Sequence, residues 1–163
     1  MSPADTRHDP VRGSGAEPVD GPLGHLVVVF DNHIARALVA IAAATGWQAR
    51  LLDAAPAADE VGALGHVDAI VVCNHDGDGA YDLLRGAVRA GVGYVAMMAS
   101  RSRSAALLEQ LRAEGFDDAA LDRLHLPAGL SIGGRSAGEI ALSVMAEVVC
   151  DAHGREGGPL RQQ

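Results

Sequence analysis

The side chains able to do chemistry fall into short polar stretches, each following an apolar run. Asp31-Asn32-His33 follows His25-Leu-Val-Val-Val-Phe30. A dinucleotide-binding turn would place the glycines of G-x-G-x-x-G here, so that backbone amides and a helix N-terminus approach a pyrophosphate. This chain has Asp31 and His33 at the two leading glycine positions. Asp31 or Asn32 can cap the following helix and occupy the amides a phosphate would use, and a carboxylate there repels an anion. Two readings stay open: a self-capped helix start without a ligand, or a site tuned to another ligand with His33 as a contact. On either reading NAD(P) binding is disfavoured.

Asp53 lies about 20 residues after that turn, where NAD-type folds carry a ribose-binding acid; an acid at a strand end is also ordinary loop chemistry. Asn74-His75-Asp76 is followed by Gly77 and Gly79. His75 can donate or accept a proton or hold a polar group, or the stretch is simply turn chemistry. His75 and Asp76 are not expected to form a dyad, because adjacent residues rarely face each other. Ser100-Arg101-Ser102-Arg103 opens a helix, and hydroxyls and guanidinium groups there are good anion hosts; plain capping by Ser100 or Ser102 with solvated arginines is the alternative. Gly129-Leu-Ser-Ile-Gly133-Gly134-Arg135 is a glycine-rich loop. It either lines a pocket, with Arg135 facing an anion, or makes a tight reversal.

These stretches need elements to hold them. Strand and helix patterns alternate: strands at His25–Phe30, Trp47–Leu52, Val67–Cys73 and Tyr94–Met98; helices at Ile34–Thr45, Ala57–Leu64, Tyr81–Ala90, Ser102–Glu114 and Ser136–Val149. Ser136 and Glu139 have capping-box spacing. The alternation implies βαβ units: an α/β fold, a Rossmann-like three-layer sandwich with a mainly parallel sheet. Ligands of such sheets bind beyond the C-terminal strand ends, where the strand order reverses. The first and fourth strands are expected side by side, so that Asp31-Asn32-His33 and Ser100–Arg103 share one crevice and the Gly129–Arg135 loop closes over it. The folded unit is expected over residues 24–152, between a disordered tail at 1–23 and a loose end at 153–163.

Composition narrows the function. Thirteen basic against 21 acidic residues give a net charge of −8, which disfavours nucleic acid and anionic membranes. Every basic residue except histidine is arginine, which excludes Schiff-base lysines and a Walker lysine. Cys73 and Cys150 sit in apolar runs without metal-ligand spacing and read as reduced core thiols. No signal peptide or membrane span is visible in the pattern, so a cytoplasmic location is expected.

Taken together the segments resemble the C-terminal Rossmann-like domain of the XdhC/CoxI family. The resemblance rests on Ala35-Arg-Ala-Leu38 with Gly46 and Asp53, on Asn74-His75-Asp76 with Asp82 and Leu83, and on Ser100-Arg101. It is strongest over Leu124-His125-Leu-Pro127-Ala-Gly129-Leu130-Ser-Ile132-Gly133-Gly-Arg135 and Glu139-Ile-Ala-Leu-Ser143. The resemblance implies a non-catalytic accessory factor that binds a molybdopterin-type cofactor and helps load it into a xanthine dehydrogenase- or carbon monoxide dehydrogenase-type hydroxylase. Its partners would be the hydroxylase apoenzyme, a separate protein of the family's N-terminal type, and a second copy of the chain. The cofactor's phosphate would suit Ser100, Arg101, Arg103 and Arg135. The chain departs from the family at Asp31-Asn32-His33, where a glycine-rich turn is usual, and in having no room for the family's N-terminal domain. The competing readings are a ligand-free interaction module and an NAD(P)-dependent oxidoreductase, for which His75 and His125 are the acid–base candidates in the matching segments.

Overall fold

The structure, a computed structural model, describes residues 23–162. The expected tail lies outside them apart from Leu23. The strands are β1 (His25–Val29), β2 (Gln48–Leu52), β3 (Ala69–Val72), β4 (Tyr94–Met97) and β5 (Leu124–His125). The helices are α1 (His33–Ala44), α2 (Ala58–Gly62), α3 (Ala80–Ala90), α4 (Arg101–Ala113), α5 (Asp118–Leu121) and α6 (Ala137–Ala152). All strand pairs are parallel, in the order β2-β1-β3-β4-β5. This is a Rossmann-like α/β fold.

Successive strand residues point to opposite faces, and both faces are covered. Val27, Val29, Ile70, Val72 and Val95 pack with Val61, Leu84, Leu107 and Leu121, so α2 to α5 form one outer layer. Leu26, Val28, Val71 and Ala96 pack with Leu38, Ala42, Val144 and Val148, so α1 and α6 form the other. Burial on both faces explains the unbroken β-branched runs in β1 and β3. The Ser136–Glu139 capping box is formed: the Ser136 hydroxyl accepts from Glu139 N at 3.2 Å, and a Glu139 oxygen accepts from Ser136 N at 3.0 Å.

The lateral order corrects one expectation. β1 pairs with β2 and β3, and β3 stands between β1 and β4. The reversal of strand order therefore falls between β1 and β3. The crevice beyond it is flanked by the turn after β1 and the turn after β3, not by the turns after β1 and β4.

Beyond α6, the described part of residues 153–163 is tied back to the helix by backbone bonds, among them Arg155 N to Cys150 O at 2.8 Å. It ends in a single turn of 3-10 helix at Leu160–Gln162.

Candidate functional site

The turn after β1 is closed by its own side chains. Asn32 is the N-cap of α1; its Oδ1 accepts from Ala35 N at 2.9 Å, and its Nδ2 donates to Cys73 O at 3.0 Å. One amide thus fills one α1 donor and ties the turn to the end of β3. Asp31 faces Arg36, with two contacts of 2.7 Å from Nε and a terminal guanidinium nitrogen. That bidentate bond holds the Asp31 carboxyl below its ordinary range, and the charge of Arg36 adds to it. His33 is exposed at the first residue of α1.

Phe30, at the tip of β1, has a positive φ of 71°, the left-handed region that bulky residues rarely occupy. Its ring lies against Gly77: a Cβ at 77 would come within 2.5 Å of it. The glycine after β3 is what lets the ring cover the start of that turn. Nothing in the sequence reading singled out Phe30; the available signal was an aromatic directly before a polar turn.

The turn after β3 departs from expectation. Gly77 N donates to Asn74 O at 3.2 Å, and Asp76 N donates to Asn74 Oδ1 at 3.0 Å. This tight reversal swings neighbouring side chains onto one side, and His75 Nε2 lies 3.2 Å from Asp76 Oδ2. His75 and Asp76 do face each other. The other ring nitrogen, Nδ1, lies 3.2 Å from Met98 O at the end of β4. Asp76 also lies 4.0 Å from a guanidinium nitrogen of Arg103. His75, Asp76 and Arg103 therefore form a string of polar groups between the starts of α3 and α4, lining an opening of about 340 Å³ with Gly77, Gly79 and Tyr81.

The start of α4 is built as a cap. The Ser100 hydroxyl accepts from Arg103 N at 3.2 Å and lies 3.2 Å from the Ser102 hydroxyl. Arg101 and Arg103 are exposed. Asp53, also exposed, stands at the end of β2 near enough to Arg36 to strengthen its charge.

The glycine-rich loop is anchored on α6. Gly129 N donates to Glu147 Oε2 at 2.8 Å, Leu130 N to Ser143 O at 3.2 Å, and Arg135 N to Glu139 Oε2 at 3.0 Å. The loop is thus fastened along α6. Gly129 has φ 102°, and a Cβ there would meet Ser143 Oγ at 2.5 Å, so close backbone approach fixes its identity. Gly133, with φ 77°, and Arg135 are exposed on this loop.

Glu147, which the sequence reading passed over, holds the root of the loop. Besides Gly129 N it accepts from the Tyr94 hydroxyl at 2.6 Å, and His125 Nδ1 lies 3.4 Å from its other oxygen. Burial raises the Glu147 carboxyl, but His125, Tyr94 and the Gly129 amide together bring it below the ordinary range. His125 stacks on the Tyr94 ring at 4.2 Å. The one sequence signal was an acid interrupting the apolar run Val144-Met-Ala-Glu147-Val-Val149.

Cys73 is buried, and burial pushes its thiol up to about 12, so it is no nucleophile. Among the described residues no group of three or more His, Cys, Asp or Glu is arranged to hold a metal. No described helix is long and apolar enough to cross a membrane. The strand ends thus offer hydrogen-bond donors and guanidinium groups for an anion, next to one histidine–carboxylate pair.

Residues 26–148 match the model of the XdhC Rossmann domain. The chain belongs to this family. It is similar to the uncharacterized protein YqeB of Escherichia coli strain K12, with 36% identity over 67 residues, 41% of this chain and 12% of that protein. It also shares its fold with a solved structure described as a xanthine dehydrogenase from Bacillus halodurans. The TM-score there is 0.64 at 18% identity, over 86% of this chain and 46% of that one. The XdhC-type chain thus spans less than half the length of either protein.

Proposed function

We propose that this XdhC-type domain binds a molybdopterin-type cofactor, or a nucleotide form of it, and assists its loading into a xanthine dehydrogenase- or carbon monoxide dehydrogenase-type hydroxylase in the cytoplasm. The observation that carries the reading is the family match over residues 26–148. The site is compatible with it. Ser100, Arg101 and Arg103 stand at the start of α4, and His75 and Asp76 lie beside them. A phosphate group there would accept from hydroxyl and guanidinium donors, whose charge-assisted bonds are the strong ones. The hydroxylase apoenzyme is the partner the role requires. A protein of the family's N-terminal type, acting in trans, and a second copy of this chain are the further partners proposed.

The test is mass spectrometry of the protein purified from cells that make the cofactor, followed by titration with the phosphate-bearing pterin released from a hydroxylase. A copurified pterin that exchanges with the added one supports the reading. A ligand-free protein that fails to bind the released pterin would leave a ligand-free docking module, and the cofactor role would be withdrawn.

A further inference from the structure

We propose that a slot between α2 and α3 seats the planar nitrogen heterocycle of the ligand whose anionic end is held at the start of α4. This rests on the reading above and extends it to the ring. The slot has a volume of about 390 Å³ and is lined by Ala55, Pro56, Val61, Gly79, Leu83 and Gly86. That size and apolar lining suit a small-molecule ring. The slot adjoins the opening at the β3 turn: Gly79 and Asp82 line both.

Gly86 is the informative residue. It lies in the middle of α3, where glycine is less favourable than alanine. A Cβ at this position would meet nothing within 4 Å, and its backbone does not need a positive φ. Nothing inside the fold requires glycine here, and the missing side chain keeps the slot open. Gly79, at the N-cap of α3, is held to glycine by its own backbone, with φ 75°; a Cβ there would reach Ala55 at 3.4 Å.

The walls carry no cation, so the slot does not suit the charged end of a ligand. Asp82 at the rim, bonded to Arg85 at 2.7 Å, leaves lone pairs for ring N–H donors. This favours an amino-substituted heterocycle such as a pterin or guanine. The ring sits in the slot and the phosphate lies toward Ser100 and Arg101, past the opening that Gly79 and Asp82 share with the slot.

Calorimetric titration of the full chain with three probes tests this: pterin for the ring, inorganic phosphate for the anion, and 5′-GMP for both. Gly86→Leu fills the slot. It is expected to raise the melting temperature by about 3 °C through helix propensity, and to weaken pterin and 5′-GMP at least about tenfold. Phosphate binding should be unchanged. Arg101→Ala should weaken phosphate and 5′-GMP and leave pterin alone. Should Gly86→Leu melt below the parent, Ala58→Trp, at an exposed position on the opposite wall, blocks the slot instead and is read the same way. Parent protein that does not bind pterin, or a blocked slot that binds it as the parent does, overturns the inference. Loss of phosphate binding alone counts against the anion reading under Proposed function and leaves the pterin result to decide the slot.

Discussion

Asn32 fastens the turn after β1 to the end of β3, with its Nδ2 3.0 Å from the carbonyl oxygen of Cys73. The two strands flank the point where strand order reverses, so one side chain sets the width of the crevice there. The same amide caps α1 through Ala35 N. Asn32→Ala is expected to cost about 1–2 kcal/mol from the cap alone, and more from the Cys73 carbonyl left without its donor. Asn32→Asp keeps the cap and loses the strand tie, so it should fall between parent and alanine variant in chemical denaturation. Equal stability of all three proteins would show that neither bond matters.

NAD(P) is expected to bind weakly or not at all. The Ala35 amide is taken by Asn32, and Asp31 adds a carboxylate at the mouth of the turn. Asp31→Gly removes that charge and releases the Arg36 guanidinium, so a pyrophosphate ligand should gain a few-fold in affinity, on the order of 1 kcal/mol. Micromolar NAD binding by the parent in calorimetry would contradict this account.

Glu147 makes stability depend on acid pH. Its folded carboxyl lies below the ordinary range: burial opposes this, and the bonds from His125, Tyr94 and Gly129 N outweigh it. A depressed carboxyl contributes stability above its unfolded value, about 4.3, and loses it as pH falls through the folded value. Glu147→Gln should cost about 1.5–3 kcal/mol at neutral pH, and the gap to the parent should close below about pH 4. Melting curves of both proteins from pH 3 to 7 check this, and a gap that stays constant over that range would refute it. Exchange of the Gly129 and Leu130 amides should quicken in the variant, because Glu147 is the acceptor at the loop root.

The α/β alternation was legible because β1, β3 and β4 are apolar runs, β2 follows the glycine that closes α1, and α1, α3, α4 and α6 have helical spacing. Their ends moved by only a few residues. β5 and α5 were not legible: Leu124–His125 and Asp118–Leu121 are too short to show a period. Strand order was not legible either. Right-handed crossovers permit strand addition on either side of β1, and chain order does not say which. That is why the expected β1–β4 crevice became one between β1 and β3. At the site, the Asn32 cap followed from residue type alone. The His75–Asp76 contact did not, because it depends on the Asn74–Gly77 backbone bond. Glu147 was hidden for a similar reason, since its partners come from β4, β5 and the glycine-rich loop.

Arg101 separates an anion site from a solvated helix start. It is the first residue of α4, exposed, next to a Ser100 hydroxyl that is already capping Arg103 N. The Ser100 cap leaves the Arg101 guanidinium as the group with most freedom to meet a ligand. Arg103 leans toward Asp76 at 4.0 Å, which spends part of its charge. A charge-assisted bond to a phosphate is worth roughly 1.5–3 kcal/mol. Arg101→Ala should therefore weaken a phosphate-bearing pterin about ten- to a hundredfold. Because the side chain is exposed, the melting temperature should hardly move. Arg103→Ala should also weaken it, since the change removes a guanidinium and leaves the Asp76 carboxylate unopposed beside the anion. Affinity that is the same for Arg101→Ala and the parent, at unchanged stability, would mean that the arginine is merely solvated beside a capped helix, and the anion site would have to be sought elsewhere along the strand ends.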